Sequence, residues 1–516
     1  MSADDSAAPA EIREVAVVGL GTMGAGIAEV LARSGRSVVA IEANHNSLAQ
    51  GLALLHASLD KTVARGRLTP AGKAEIVGRV RAADSIATGV TGADLVIEAV
   101  PERMDLKRAI FGELDQACRA DAILTTNTSS LSVTALAAGT RRPSRVAGLH
   151  FFNPAPVMKL VEVVSTVLTA PGAPAALARL ARELGKTPVQ VSDRAGFVVN
   201  PLLLPYLNHA VRLLETGHAT RDDIDKAAIG GLGLPMGPLA LLDLIGLDTS
   251  LSILQALQAE FGGSRYAPTP LLRRMAEAGL TGRKSGRGFY EYRATGVPAP
   301  AADDLGDSAP PPSPPSTVAL IENGAAAMAT DLSGAITAAG ISVIRHPAPE
   351  AELIIVAAEP GRRILDAALA SGRPADAVGI HLAGRGETTP ALAELIRTHL
   401  TAPGAAATAA ALGAKLGLDT VTSRDRPGFL TAAIAYPHLN DAARMVQDGY
   451  ATPAGIDTAM MLGCGYPRGP LQMLDDTGPA QVLGVLSAMH ASSGDPAFAP
   501  APLLAEHAAA GTPFRS

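Results

Sequence analysis

Cysteine is almost missing from this chain, and tryptophan is missing altogether. Only Cys118 and Cys464 occur in 516 residues. They are too few and too far apart for a zinc cluster or a disulfide framework, so a reducing cytoplasm is the expected setting. Excess positive charge is missing too. The formal charge is −6 and no dense Lys/Arg block offsets it, which argues against nucleic acid or an anionic membrane as partner. No apolar run reaches the ~18 residues of a spanning helix. The opening MSADDSAAPAEIR is acidic and lacks an apolar h-region, so no signal peptide is expected. What is plentiful is alanine, glycine, proline and apolar surface, at 47% of residues. That is ample for sizeable cores, and the length suggests roughly three or four domains of about 150 residues.

Residues 15–18 (VAVV) read as a buried strand. Gly19-Leu20-Gly21-Thr22-Met23-Gly24 and a helical pattern to Arg33 follow it. Ser37–Ile41 reads as a second strand and 47–65 as a long helix. Asp94–Glu98 and Ala122–Thr125 are further strands, separated by a helix near 105–117. Strands alternating with helices imply an α/β, Rossmann-like, doubly wound parallel sheet. From about 195 to 290 the pattern is helical. Residues 297–316 form a Pro-rich linker, read as extended and solvated.

After the linker the chain repeats itself. DRAGFVVNPLLLPYLNHA at 193–210 is matched by DRPGFLTAAIAYPHLNDA at 425–442, an offset of 232 residues that also relates Asn208 to Asn440 and Asp243 to Asp475. A duplicated all-α domain follows from that. VALIENGAAA at 318–327 aligns more weakly with VAVVGLGTMG at 15–24, so the sheet domain is read as duplicated in degenerate form. The expected bounds are 12–192 for the sheet domain, 193–296 for the helical domain, 317–423 for the degenerate sheet and 424–516 for the second helical copy.

Glycines at 19, 21 and 24 are weak evidence alone, because glycine marks many turns. Here the motif follows a strand, opens a helix, and has Glu42 at the end of the next strand. That is the setting of a dinucleotide fingerprint. The glycines let the backbone approach a pyrophosphate, and the helix N-terminus supplies free N–H groups. Glu42 can accept both ribose hydroxyls and would repel a 2′-phosphate, so NAD is expected rather than NADP.

The stretch GLHFFNPAPVMKLVEVV at 148–164 sets His150 and Glu162 inside two apolar runs. A histidine satisfied by a backbone carbonyl and an edge-strand glutamate would be the plain structural reading. GLGTMG alone also resembles the 3-hydroxyisobutyrate and 6-phosphogluconate dehydrogenases. The 148–164 stretch instead closely resembles the signature of the L-3-hydroxyacyl-CoA dehydrogenases. So do IEAVPERMDLK (97–107), TTNTSSLSVTALA (125–137), DRAGFVVNPLLLPYLNHA (193–210), GLPMGPLALLDLIGLD (233–248) and TGRKSGRGFYEY (281–292). The resemblance runs from 13 to 292, and the second half resembles the extended bacterial members, of 3-hydroxybutyryl-CoA and 3-hydroxyadipyl-CoA type.

The resemblance implies NAD-dependent oxidation of (S)-3-hydroxyacyl-CoA to 3-oxoacyl-CoA, as in fatty-acid β-oxidation. It makes His150 the general base and Glu162 its orienting partner. A neutral imidazole suits removal of a hydroxyl proton near pH 7, and a carboxylate on its other nitrogen steadies the imidazolium. It assigns Ser129 and Asn200 to the substrate's 3-oxygen, Ser129 also to the cofactor with Glu102, Lys107, Asn153 and Lys284, and Ser58, Arg65 and Lys107 to coenzyme A. Arg65 stands for a usual lysine and Glu42 for a commoner aspartate. No metal is implied. A non-catalytic NAD-binding protein on the same fold and a dehydrogenase of a non-CoA 3-hydroxy acid are the alternatives. Monomer and homodimer both fit.

The second half is expected to be catalytically silent. His381 and Glu394 recreate the pair, but Glu322-Asn323-Gly324 stands where Gly19-Leu20-Gly21 stood, Ala327 replaces Gly24, Ala432 replaces Asn200, and Gly384 replaces Asn153. The offset falls from 303 at Val15/Val318 to 258 at Asp94/Glu352 and 231 at His150/His381. Those drops remove the long helix and the segment bearing Ser129.

Overall fold

The structure is a computed structural model that describes residues 11–293, 313–345, 349–384 and 392–515. Most of the Pro-rich linker, 297–312, lies outside them. Among the described residues no single helix is long and apolar enough to cross a membrane. The chain divides into two compact units, neither of them continuous in sequence. The first holds residues up to Pro201 together with Met445–Gly465. The second holds Leu202–Arg444 and Tyr466–Ser516.

The first unit is built on eight strands: β1 (Glu14–Val18), β2 (Ser37–Ile41), β3 (Val80–Ala83), β4 (Leu95–Glu98), β5 (Ile123–Thr126), β6 (Val146–Phe151), β7 (Leu160–Ser165) and β8 (Thr187–Ser192). Their order is β3-β2-β1-β4-β5-β6-β7-β8. All neighbours are parallel except β6 and β7. The central strands β1, β4 and β5 are buried almost throughout and mostly apolar, because helices cover both faces of a parallel sheet. Helix α1 (Thr22–Arg33) turns Ile27, Ala28 and Leu31, all at 0% exposure, onto the sheet. Burying each of the two larger side chains stabilises by roughly 1.5–3 kcal/mol. Helix α2 (His45–Ala64) begins at Asn44, whose side chain accepts the Ser47 N–H. It crosses so close to the glycine turn that a Cβ on Gly51 would lie 2.4 Å from Leu20 Cβ. Helices α3 (Met104–Ala117) and α4 (Val133–Ala137) follow. The strand order reverses direction between β1 and β4, and ligands of such sheets sit beyond the strand ends at that point.

The sheet of the second unit has six strands: β9 (Thr317–Asn323), β10 (Ser342–Arg345), β11 (Leu353–Ala358), β12 (Ala377–Ala383), β13 (Leu392–Arg397) and β14 (Asp419–Arg424). Their order is β10-β9-β11-β12-β13-β14. This is the first sheet with β3 and β5 removed, so β11 pairs directly with β12. Among the described residues no helix joins β10 to β11. The two falls in offset therefore correspond to the missing α2 region and the missing β5 segment.

The helical copies repeat their local devices as well as their lengths. Helices Val199–Glu215 and Thr431–Gln447 correspond. Asn208 bridges Ala267 O (2.8 Å) and Thr269 N (2.9 Å). Asn440 bridges Ala499 O (3.0 Å) and Ala501 N (2.7 Å) in the same manner. The two copies also exchange elements. In the first unit helix Pro453–Cys464 packs on β7 and β8, and Ser192 N–H donates to Tyr450 O at 3.0 Å. In the second unit Arg221–Lys226 and the segment after it pack on β14 and β13, and Arg424 N–H donates to His218 O at 3.0 Å. Each helical copy covers the other copy's sheet.

Candidate active site

The glycine turn after β1 is shaped by close approach. Gly19 has φ +91°, and a Cβ there would lie 2.8 Å from the Ala99 carbonyl. A Cβ on Gly24 would lie 1.7 Å from Gly19 O. Gly21 meets nothing within 4 Å, so that side of the turn is open. Helix α1 starts there with no side-chain cap and no acidic residue in its first turn. Unpartnered N–H groups, the helix dipole and an open backbone fit a pyrophosphate. Leu20 is buried, Met23 packs against the core, and Thr22 is exposed. Glu42 faces the turn: its Oε1 accepts the Leu20 N–H at 2.6 Å and its Oε2 the Ala43 N–H at 3.0 Å. These residues fit the adenosine diphosphate end of a dinucleotide.

Further along the same strand ends, β4 carries Glu98. Lys107, on α3, is 1% exposed and donates to both Glu98 oxygens at 2.7 and 3.0 Å and to Val100 O at 3.2 Å. Breaking such a buried pair costs about 3–5 kcal/mol. Lys107 is thus enclosed and held, not a surface charge. Its ammonium also lies 3.5 Å from Glu102. Glu102 clamps the loop after β5, accepting the Thr128 hydroxyl, the Ser129 N–H (3.1 Å), and the Ser130 N–H (3.2 Å) and hydroxyl (3.0 Å). Burial pushes its carboxyl up, but the Thr128 hydroxyl, Lys107 and these N–H groups outweigh burial and hold it below the usual range. Asn127 ties this loop to β6 by accepting the Phe151 N–H at 2.8 Å. Glu98, Asn127 and Thr128 lie within the motif stretches, but sequence reasoning assigned them nothing. No pattern pointed to Glu98, because only the structure shows Lys107 to be buried and in need of a carboxylate partner.

His150 and Glu162 face each other directly across the antiparallel β6/β7 pair. His150 Nδ1 and Glu162 Oε2 are 2.7 Å apart, with the histidine side chain 12% and the glutamate 0% exposed. The other Glu162 oxygen accepts the Val198 N–H at 3.2 Å. With Nδ1 held, Nε2 is the nitrogen left for chemistry. Phe152 and Phe197 pack against the imidazole at 4.6 and 5.7 Å between centroids. Phe197 adopts φ +57°, a left-handed backbone that bulky residues rarely take. Asn200, partly buried, sits in the helical turn after Val198. Asn153 is exposed two residues beyond β6.

The other expected residues lie further out. Ser58 and Arg65 are about two turns apart along α2, the serine half-buried and the arginine exposed at the helix C-cap. Lys284 belongs to the second unit and pairs with Asp248 at 2.5 Å.

The second pair is not joined. His381 and Glu394 keep the same register across β12 and β13. Yet His381 Nδ1 lies 3.1 Å from Ala358 O. Glu394 is filled by the Leu430 N–H (2.8 Å) and the Thr431 N–H (3.0 Å) at the start of the next helix.

Comparison with known proteins agrees with this geometry. The profile described as "3-hydroxyacyl-CoA dehydrogenase, NAD binding domain" matches residues 14–194, and its C-terminal domain matches 196–292 and again 428–515. The chain belongs to the 3-hydroxyacyl-CoA dehydrogenase family. Its oxidoreductase class and NAD as its cofactor follow from that membership, and the family's helical domain is present twice. A 3-hydroxyadipyl-CoA dehydrogenase of Escherichia coli is 34% identical over 96% of this chain and 98% of its own length. A 3-hydroxybutyryl-CoA dehydrogenase of Clostridioides difficile is 44% identical over 54% of this chain and 99% of its own. The crystal structure of a 3-hydroxybutyryl-CoA dehydrogenase from E. coli superposes with TM-score 0.82 at 32% identity, covering 97% of this chain and 99% of that one.

Proposed function

We propose that this family member oxidises the 3-hydroxyl of an (S)-3-hydroxyacyl-CoA thioester, with His150 as general base. The observation that carries the reading is the 2.7 Å bond between Nδ1 of His150 and buried Glu162. It fixes the tautomer, leaves Nε2 as acceptor, and places a fixed negative charge behind the ring. Nε2 takes the hydroxyl proton as C3 loses its hydride. NAD, when bound, supplies the hydride acceptor. Ser129 and Asn200 orient the 3-oxygen. Glu102 holds the Ser129 loop in place through its bonds to residues 128–130. Glu42 selects NAD, and Ser58 and Arg65 on the outer helix meet the coenzyme A portion.

The acyl group is read from a relative that spans both halves of the chain and is named for 3-hydroxyadipyl-CoA, beside a full-length solved structure named for 3-hydroxybutyryl-CoA. An ω-carboxylated chain is therefore the first substrate to try, and 3-hydroxybutyryl-CoA the second. A cytoplasmic setting completes the reading, in keeping with two free thiols, Cys118 and Cys464. The test is a panel of short, long and ω-carboxylated 3-hydroxyacyl-CoA thioesters scored by NADH appearance. NADH with none of them would favour a non-catalytic NAD-binding role. NADH from the free hydroxy acids alone would favour a non-CoA substrate.

A further inference from the structure

The second sheet unit has lost the glycine cradle and the joined histidine–glutamate pair, yet one of its niches has gained charge. A cavity of about 480 Å³ is lined by Arg363, Arg397, His399, Arg424 and Arg426, with Asp425 and two threonines. The first unit holds the equivalent niche, and shared bonds fix the correspondence. Asp193 accepts the N–H groups of Val133 and Thr134, and Asp425 those of Ile364 and Leu365. Thr169 caps the turn after β7, and Thr401 the turn after β13. On that framework Arg363 replaces Ser132, Arg397 replaces Ser165, His399 replaces Val167 and Arg424 replaces Ser192, while Arg426 matches Arg194.

Three serines have thus become three arginines around one cavity, in a chain of net charge −6. Among the described residues none of Arg363, Arg397, Arg424 and Arg426 forms an ion pair. The one carboxylate lining the cavity, Asp425, is already committed to two backbone N–H groups. In the first unit the lone Arg194 lies over the Tyr450 ring. Four guanidinium groups lining one cavity repel one another unless an anion joins them. Their planar forks match phosphate oxygens in pairs.

We propose that this cavity is a second ligand site, for a compact anion carrying two or more phosphate groups. A diphosphate supplies about three negative charges in one small group, which suits four cations and one occupied carboxylate. A single carboxylate does not. The phosphates come either from a coenzyme or nucleotide or from free inorganic pyrophosphate.

The experiment is titration calorimetry of the full chain with pyrophosphate at low salt, with wild type and the serine variants below compared so that any binding at the glycine turn is common to both. One pyrophosphate per chain is expected at the cavity. The double variant Arg397→Ser/Arg424→Ser restores the residues of the sister niche. It is expected to weaken binding at least about tenfold while turnover with NAD and the thioester stays unchanged. Arg363→Ser is expected to weaken it less, and serves if the double variant folds poorly. Displacement of pyrophosphate by coenzyme A supports a coenzyme source, and displacement by orthophosphate alone supports an inorganic one. No binding at millimolar pyrophosphate overturns the proposal. So does binding that is undiminished in both serine variants, or tighter binding of citrate than of pyrophosphate.

Discussion

His150 and His381 occupy the same place in two sheets, each opposite a buried glutamate in identical register. Both have a phenylalanine with positive φ beside the ring, Phe197 at +57° and Phe429 at +47°. The strained turn therefore survives where the joined histidine–glutamate pair does not, and in both units it precedes a helix. What separates the sites is one hydrogen bond. Glu162 accepts a single N–H, from Val198, and keeps an oxygen for imidazole. Glu394 accepts two, from Leu430 and Thr431, and becomes a helix cap. A carboxylate so placed gains the dipole and two N–H groups, and gives up its histidine. Register alone does not make a catalytic pair.

The comparison breaks most sharply at the histidines. His150→Ala should lower turnover about 10²–10⁴-fold while NAD binding, read by fluorescence titration, stays near wild type. Full activity in that variant would remove His150 as base. Glu162→Gln should lower turnover by up to about 10⁴-fold, the loss found when the carboxylate behind a general-base histidine becomes an amide. A lower KM with unchanged kcat would contradict that role.

Cofactor choice comes next. Glu42→Ala should cut the NAD preference in kcat/KM by roughly tenfold, about 1.4 kcal/mol, measured with NAD and NADP side by side. A wild-type preference for NADP would show that Glu42 serves only the glycine turn. The exchanged helix offers a milder lever. A Cβ on Gly463 would lie 3.1 Å from Leu160 and 3.2 Å from Val199, beside Phe152. Gly463→Val should destabilise by about 1–3 kcal/mol through overpacking and lower turnover a few-fold, seen as a drop in Tm alongside the kinetics. Smallest of all, His381→Ala should leave turnover within about twofold. A loss as large as that of His150→Ala would make the second pair functional after all.

Much of this was legible in the residues. Strands β1, β2, β4 and β5 are apolar runs between turn signals, and the helical repeat keeps its offset of 232 without drift. The pair His150–Glu162 was legible through the motif around it. β3 was not: Val80–Ala83 is short, contains Arg81 and is half-exposed, so it carries no strand pattern. The Glu98–Lys107 pair was hidden because a buried ion pair has no periodicity, only geometry. The separation of His381 from Glu394 depends on which N–H groups reach a carboxylate, and spacing does not encode that. Nor did the exchange of helices show, because either copy's apolar face reads the same whichever sheet it covers.

That exchange also sets an order in time. The cover of β7 and β8 is encoded at Pro453–Cys464, whereas β8 ends at Ser192. A ribosome adding about 5–20 residues per second leaves the first sheet without this helix for roughly 10–50 s after β8 has emerged. Through that interval the helix that packs on β7 and β8 in the finished chain is not yet there. The proposed catalytic pair is encoded in the first half of the chain, but the helix packed on its strand arrives only near the end of synthesis.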